Sequence, residues 1–149
     1  MGGGLALATG CDFRIGTPTA RFGVPIARTL GNCLSIANLA RLQNAFGTQR
    51  VKRMLLLSEI LDANEALACG YLHQVSEPET IEQAARDLAG RLAALAPITQ
   101  RVSKEGLRRI AGANLPDDHD LVRLTYGSDD FREGVAAFVA KRAPHWQGH

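Results

Sequence analysis

Between Phe13 and Ser58 the chain contains neither aspartate nor glutamate. That stretch therefore offers no carboxylate to take or give a proton. Cysteine is scarce. Cys11, Cys33 and Cys69 are widely spaced and odd in number, so they build neither a disulfide framework nor a zinc motif. Buried thiols in a reducing compartment, the cytoplasm, are the expectation. No apolar run reaches ~18 residues, which argues against a helical membrane span. No charged segment leads into an apolar one as in a secretory leader. A net charge of +2 is too small to argue for nucleic acid. There is no internal repeat, low-complexity tract or linker. What remains, 46% hydrophobic and 21% charged, is ordinary globular composition, and 149 residues suffice for one core.

What is present is a glycine run at the start. Gly2-Gly3-Gly4 leads into Leu5–Thr9, a short run of helix formers. Glycine lets other atoms approach the backbone closely, and the first N–H groups of a helix have no internal partner. Such a turn suits an oxyanion, a carboxylate or a phosphate; it equally suits a helix start packed tightly on a neighbour. Cys11–Ile15 then reads as a strand, and Ala20–Phe22 as another. Gly31-Asn32 offers a cap for a helix from Leu34 to Gly47, whose positions Leu34, Ala37, Asn38, Arg41, Leu42 and Ala45 mix apolar and polar residues at helical spacing. Thr48 caps a helix with the apolar stripe Val51, Met54, Leu55 and Leu57. Asp62 and Glu65 fit a capping box. Tyr71–Val75 reads as a short strand. Helices are expected over 79–95, 98–111, 117–125 and from Ser128 or Asp129 to Arg142. The fold class is α/β, mostly helical with two or three short strands.

MGGGLALATGCDFRI followed by ARFGVP resembles the enoyl-CoA hydratase/isomerase (crotonase) family. Ala63-Asn64-Glu65-Ala66 with Gly70-Tyr71-Leu72, Ser103-Lys104-Glu105 and the tail Asp130–Phe138 with Lys141–Pro144 follow in the family's order. The resemblance implies the crotonase-like spiral fold of ββα units. The match begins in the middle of that domain, so the chain is expected to be its C-terminal portion, N-terminally truncated. Residues 1–75 would then carry the later part of the core with the glycine turn, and residues 76–149 a helical region used for trimer contacts.

The family stabilises an enolate made from a coenzyme A thioester, with two backbone N–H groups on the thioester oxygen. One of these matches Gly3, with Gly2 and Gly4 beside the substrate; the other would come from the preceding half. The family's hydratases carry a glutamate two residues after the glycines and another after the Phe-Gly-x-Pro proline. Here Ala6 and Ile26 stand there, so a standard hydratase mechanism is not expected.

Asp129 and Asp130 are candidates near substrate on the last helix, although capping its N-terminus explains them too. Phe138 and Lys141 match tail positions that contact coenzyme A; for Lys141, complementing the helix dipole is an equal alternative. Arg14, Arg21, Arg28 and His73 are further polar candidates. Asp117-Asp118-His119-Asp120 has the composition of a metal cluster, but adjacent residues on a helix diverge, and no metal is expected. No separate cofactor is implied beyond coenzyme A as part of the substrate. The expected partners are an acyl-CoA thioester and further copies of the chain in a homo-oligomer, or a missing N-terminal half, with neither nucleic acid nor membrane. The alternative is a non-catalytic crotonase-like fragment or assembly subunit.

Overall fold

A computed structural model describes residues 1–149. Nine helices and four two-residue strands alternate along the chain. The order is α1 (Gly3–Thr9), β1 (Ile15–Gly16), β2 (Arg21–Phe22), α2 (Ile26–Thr29), α3 (Ile36–Phe46), α4 (Thr48–Leu56) and β3 (Leu61–Asp62), then α5 (Ala63–Ala68), β4 (Gln74–Val75), α6 (Ile81–Ala93), α7 (Pro97–Gly112), α8 (His119–Gly127) and α9 (Asp129–Val139). β1 pairs with β4 in parallel, Ile15 opposite Gln74. β2 pairs with β3 antiparallel, Phe22 opposite Leu61. No helix is long and apolar enough to cross a membrane.

The hydrophobic core lies between Leu5 and Leu72. Aromatics are few, yet three of them sit together. Phe46 stacks on Tyr71 at 3.9 Å, and Phe22 meets Tyr71 edge-on at 5.2 Å. Met54 and Ala66 are fully enclosed. Of the apolar stripe read on α4, Val51 and Met54 are buried, but Leu57 falls past the helix end and is 66% exposed. After Leu72 only Gly134 and Ala137 are buried.

Several local elements differ from the sequence reading, each for a side-chain reason. Cys11–Asp12 form a bend rather than a strand. The Arg14 guanidinium donates to the carbonyls of Cys11 (2.7 Å), Ala8 (3.2 Å) and Tyr71 (2.7 Å), which ties residues 8–14 back on themselves. Only Ile15–Gly16 remain free to pair. Ser35, not Gly31-Asn32, caps α3, accepting from the Asn38 N–H. Asp118 reaches across from the start of α8 and accepts from the Ile36 N–H at 2.8 Å. Gly47, with φ 78°, starts α4, and Thr48 is its first helical residue. Asp62 caps α5 as read, accepting from the Glu65 N–H at 2.8 Å. Glu65 does not return to Asp62, because Arg50 and Arg53 hold its carboxylate. The last helix stops at Val139, not Arg142. Lys141 adopts φ 53°, and Arg142 N–H bonds to Ala137 carbonyl at 3.0 Å, a helix end of the Schellman type.

The thiols are less enclosed than expected: Cys11 is exposed, and Cys33 and Cys69 are half-buried, all three free.

Candidate active site

The site is built on the start of α1. Gly2 has φ 55° and ψ −130°, a conformation that a side chain would strain. Its N–H donates to the Gly23 carbonyl at 3.2 Å, and its own carbonyl accepts from Leu5 and Ala6. The N–H groups of Gly3 and Gly4 find no acceptor. Apart from the adjoining backbone of the turn, no atom lies within 4 Å of where a Cβ would stand on Gly2, Gly3 or Gly4. The turn therefore presents two unpaired donors on an unobstructed backbone, at the positive end of α1.

Beside the turn lies a cavity of about 30 Å³. α1 contributes Leu5, Ala6 and Thr9; the loop after β2 contributes Val24; α3 and its approach contribute Leu34, Asn38, Arg41 and Leu42, with Gly2 at the turn itself. No carboxylate lines it. Ala6 faces this cavity. Ile26 does not line it and packs against the core instead. Behind the cavity wall, Thr9 hydroxyl donates to Leu5 carbonyl at 2.7 Å. That leaves Thr9 as acceptor for the Tyr71 hydroxyl at 3.1 Å. Burial raises the Tyr71 pKa above its ordinary value, so the phenol keeps its proton.

The other candidates lie elsewhere. Asp129 and Asp130 line a separate polar cleft with Glu133, Arg142, His145 and His149. There Asp129 pairs with Arg132 at 2.5 Å, and Asp130 accepts from the Gln147 and Gly148 N–H groups at 2.6 and 2.9 Å. The Asp130 carboxylate thus clamps the tail, and the Asp129 carboxylate stays on its own helix with Arg132. Phe138 is 64% exposed, and Lys141 ends α9. His73 meets Phe13 edge-on at 5.4 Å. Asp117, Asp118 and His119 were expected to diverge, but their ligand atoms lie within 4.8 Å of one another. Asp117 and Asp118 precede α8, so helix geometry does not separate them. Each is engaged, Asp117 with His119 and Asp118 with α3.

The tail clamp titrates. Arg142 and the His145 N–H hold the Glu133 carboxyl down from 4.5 to about 2. A depressed carboxyl contributes its stability above its ordinary pKa and loses it as pH falls toward the folded value. Trp146, the one tryptophan, packs against Gly31 from this tail. Its fluorescence should therefore change as pH falls from about 4.5 toward 2, ahead of the far-UV circular dichroism. Glu133→Gln should remove that early phase.

The sequence reading missed Thr9, Asn38 and Arg41. The signal for Asn38 and Arg41 was the polar intrusion between Leu34 and Leu42, on one helical face; Thr9 had none.

A sequence profile of the enoyl-CoA hydratase/isomerase family matches residues 1–149. The (E)-benzylidenesuccinyl-CoA hydratase of Thauera aromatica is 32% identical over 99% of this chain and 59% of its own length. The crotonyl-CoA hydratase of Syntrophomonas wolfei is 31% identical over 95% of this chain and 56% of its own. A methylmalonyl-CoA decarboxylase solved in complex with 2-nitronate-propionyl-CoA superposes with a TM-score of 0.91 at 28% identity, covering 99% of this chain and 59% of that one. An enoyl-CoA hydratase/isomerase from Pseudoalteromonas atlantica superposes at 0.82 with 31% identity, covering 98% and 59%. The chain thus spans less than two thirds of the length of these relatives. The fold is crotonase-like, and on a profile match across residues 1–149 the chain belongs to the enoyl-CoA hydratase/isomerase family.

Proposed function

We propose that the chain supplies the glycine-turn part of an acyl-CoA thioester site, where the Gly3 N–H holds the thioester oxygen as it becomes an enolate. The observation that carries this reading is the pair of unpaired N–H groups at Gly3 and Gly4, which stand between Gly2 and Leu5 of the cavity lining. A donor aimed at developing charge stabilises the transition state more than the ground state. The second donor lies outside this chain. Coenzyme A enters as part of the substrate, with Phe138 and Lys141 as tail contacts, and no separate cofactor is needed.

The reaction is not hydration of the standard kind. Hydration needs a general acid and base within hydrogen-bond reach. Ala6 faces the cavity and Ile26 packs on the core, and neither side chain transfers protons. With crotonyl-CoA, a steady-state absorbance assay is expected to show no turnover at a hydratase-like rate. Ordinary hydratase turnover would contradict this assignment.

The surface supports assembly with other protein. A folded monomer of 16.0 kDa exposes about 7,400 Å², whereas this chain exposes 9896 Å². Ile98, Val102, Leu107 and Ile110 of α7 are each more than 60% exposed, as are Leu124 and Phe138. Uncovered apolar faces of this extent mark interfaces. A homo-oligomer such as a trimer, made through residues 76–149, fits this surface, and light scattering of the purified chain tests it. An assembly subunit without activity of its own is the second reading, favoured by the same surface. Three unpaired thiols suit a reducing compartment such as the cytoplasm.

A further inference from the structure

We infer that Arg41 and Asn38 select an acyl-CoA whose acyl group carries a carboxylate. The inference rests on the acyl-CoA reading above and names the substrate class of that same cavity.

Arg41 is the one ionisable side chain lining the cavity. Its one hydrogen bond goes to Asn38 Oδ1, 3.2 Å away. No carboxylate pairs with it. That is unlike Arg50, Arg53, Arg132 and Arg142, which all hold acids. Asp118, the carboxylate that reaches α3, is occupied by the Ile36 N–H. The acid-free stretch from Phe13 to Ser58 supplies no other.

Donor chemistry points the same way. Asn38 Oδ1 accepts from Arg41, and the Asn38 amide N–H groups have no partner. Thr9 spends its one donor on Leu5 and accepts from Tyr71. The unspent donors of the cavity are therefore a guanidinium and an amide one helical turn apart. The other lining side chains are apolar. Planar donors of this kind match a carboxylate, and Arg does so with two parallel hydrogen bonds. The cavity of about 30 Å³ has room for a group of that size. A phosphate of coenzyme A would present the same anionic chemistry to Arg41, so the experiment separates the two sources.

Isothermal titration calorimetry of the full chain with malonyl-CoA, succinyl-CoA, butyryl-CoA and coenzyme A alone makes the test. The expected result is that malonyl-CoA or succinyl-CoA binds about tenfold or more tightly than butyryl-CoA. Arg41→Gln should remove most of that preference and leave butyryl-CoA and coenzyme A unchanged. Asn38→Ala should weaken it in part. Arg41 is exposed, so circular dichroism should show these variants folded as wild type. Equal binding of all acyl chains by the wild type would overturn the inference alone. Loss of coenzyme A affinity in Arg41→Gln, equal to the loss for succinyl-CoA, would assign Arg41 to phosphate and also overturn it. Failure of the wild type to bind any of the four would overturn both this inference and the acyl-CoA reading beneath it.

Discussion

Gly3→Pro is expected to lower turnover of any acyl-CoA thioester processed at this site by about 100-fold or more. Proline removes the N–H and nothing else that the fold needs there. Gly3 is the first residue of α1, the position where proline is best tolerated because that N–H has no helical partner. Beyond its own turn, no atom stands within 4 Å of its Cβ position. The variant should therefore fold, and circular dichroism checks that it does. Gly3→Ala keeps the donor, and Gly3 is helical rather than left-handed, so its effect should be mild. The conformational demand for glycine falls on Gly2, whose φ is 55°. A Gly3→Pro protein that folds and keeps full activity would show the glycine run to be a packing device.

Gly134→Ala is expected to destabilise the fold by about 3 kcal/mol, at the upper end of overpacking costs. A Cβ on Gly134 would stand 2.3 Å from the Leu30 carbonyl oxygen and 2.6 Å from its carbon. Both are backbone atoms, so no rotamer change relieves the contact, and α9 must move away from the α2–α3 loop. The helix-propensity gain of alanine, roughly 1 kcal/mol, offsets only part of this. Gly90→Ala is the control. Gly90 lies in α6 with nothing within 4 Å of its Cβ position, and the same substitution there should stabilise by roughly 0.5–1 kcal/mol. Urea denaturation of both variants reads the two signs directly. Equal effects would show that α9 does not sit against Leu30 as described.

That contrast also marks what the sequence discloses. Elements signalled by neighbouring residues were legible. The glycine run starts a helix, Asp62 caps α5 three residues before Glu65, and Pro97 opens α7. These depend on interactions within one turn. Features set by distant partners were not legible. The strand expected over 11–15 is shortened because Arg14 reaches carbonyls of Ala8, Cys11 and Tyr71. The capping box is half made because Arg50 and Arg53, on another helix, hold Glu65. Gly134 reads as an ordinary helical glycine until Leu30 is placed against it.

The candidate site divides in the same way. Gly2, Gly3 and Gly4 are contiguous, and the structure keeps them together at one turn. Asp129 and Asp130 were grouped with them by family position, yet they lie in a cleft of their own, on the tail. Arg41 and Asn38 join the site from α3, more than 30 residues along the chain, with only a polar break in an apolar face to announce them. Ala6 was singled out through the family resemblance, which puts a glutamate at that position in hydratases. That Ile26 packs on the core, and lines no part of the cavity, required the tertiary structure.

We propose that the glycine turn holds a thioester oxygen. The most direct measurement is an amide NMR titration of isotope-labelled chain with a nitronate analogue of an acyl-CoA, in which a planar anion stands in for the enolate. The Gly3 amide proton is expected to move strongly downfield on saturation, as a charge-assisted hydrogen bond forms. Gly3→Ala should retain that response, and coenzyme A alone should fail to produce it. An analogue that binds and shifts resonances elsewhere, while the Gly3 amide stays where it was, would contradict the account.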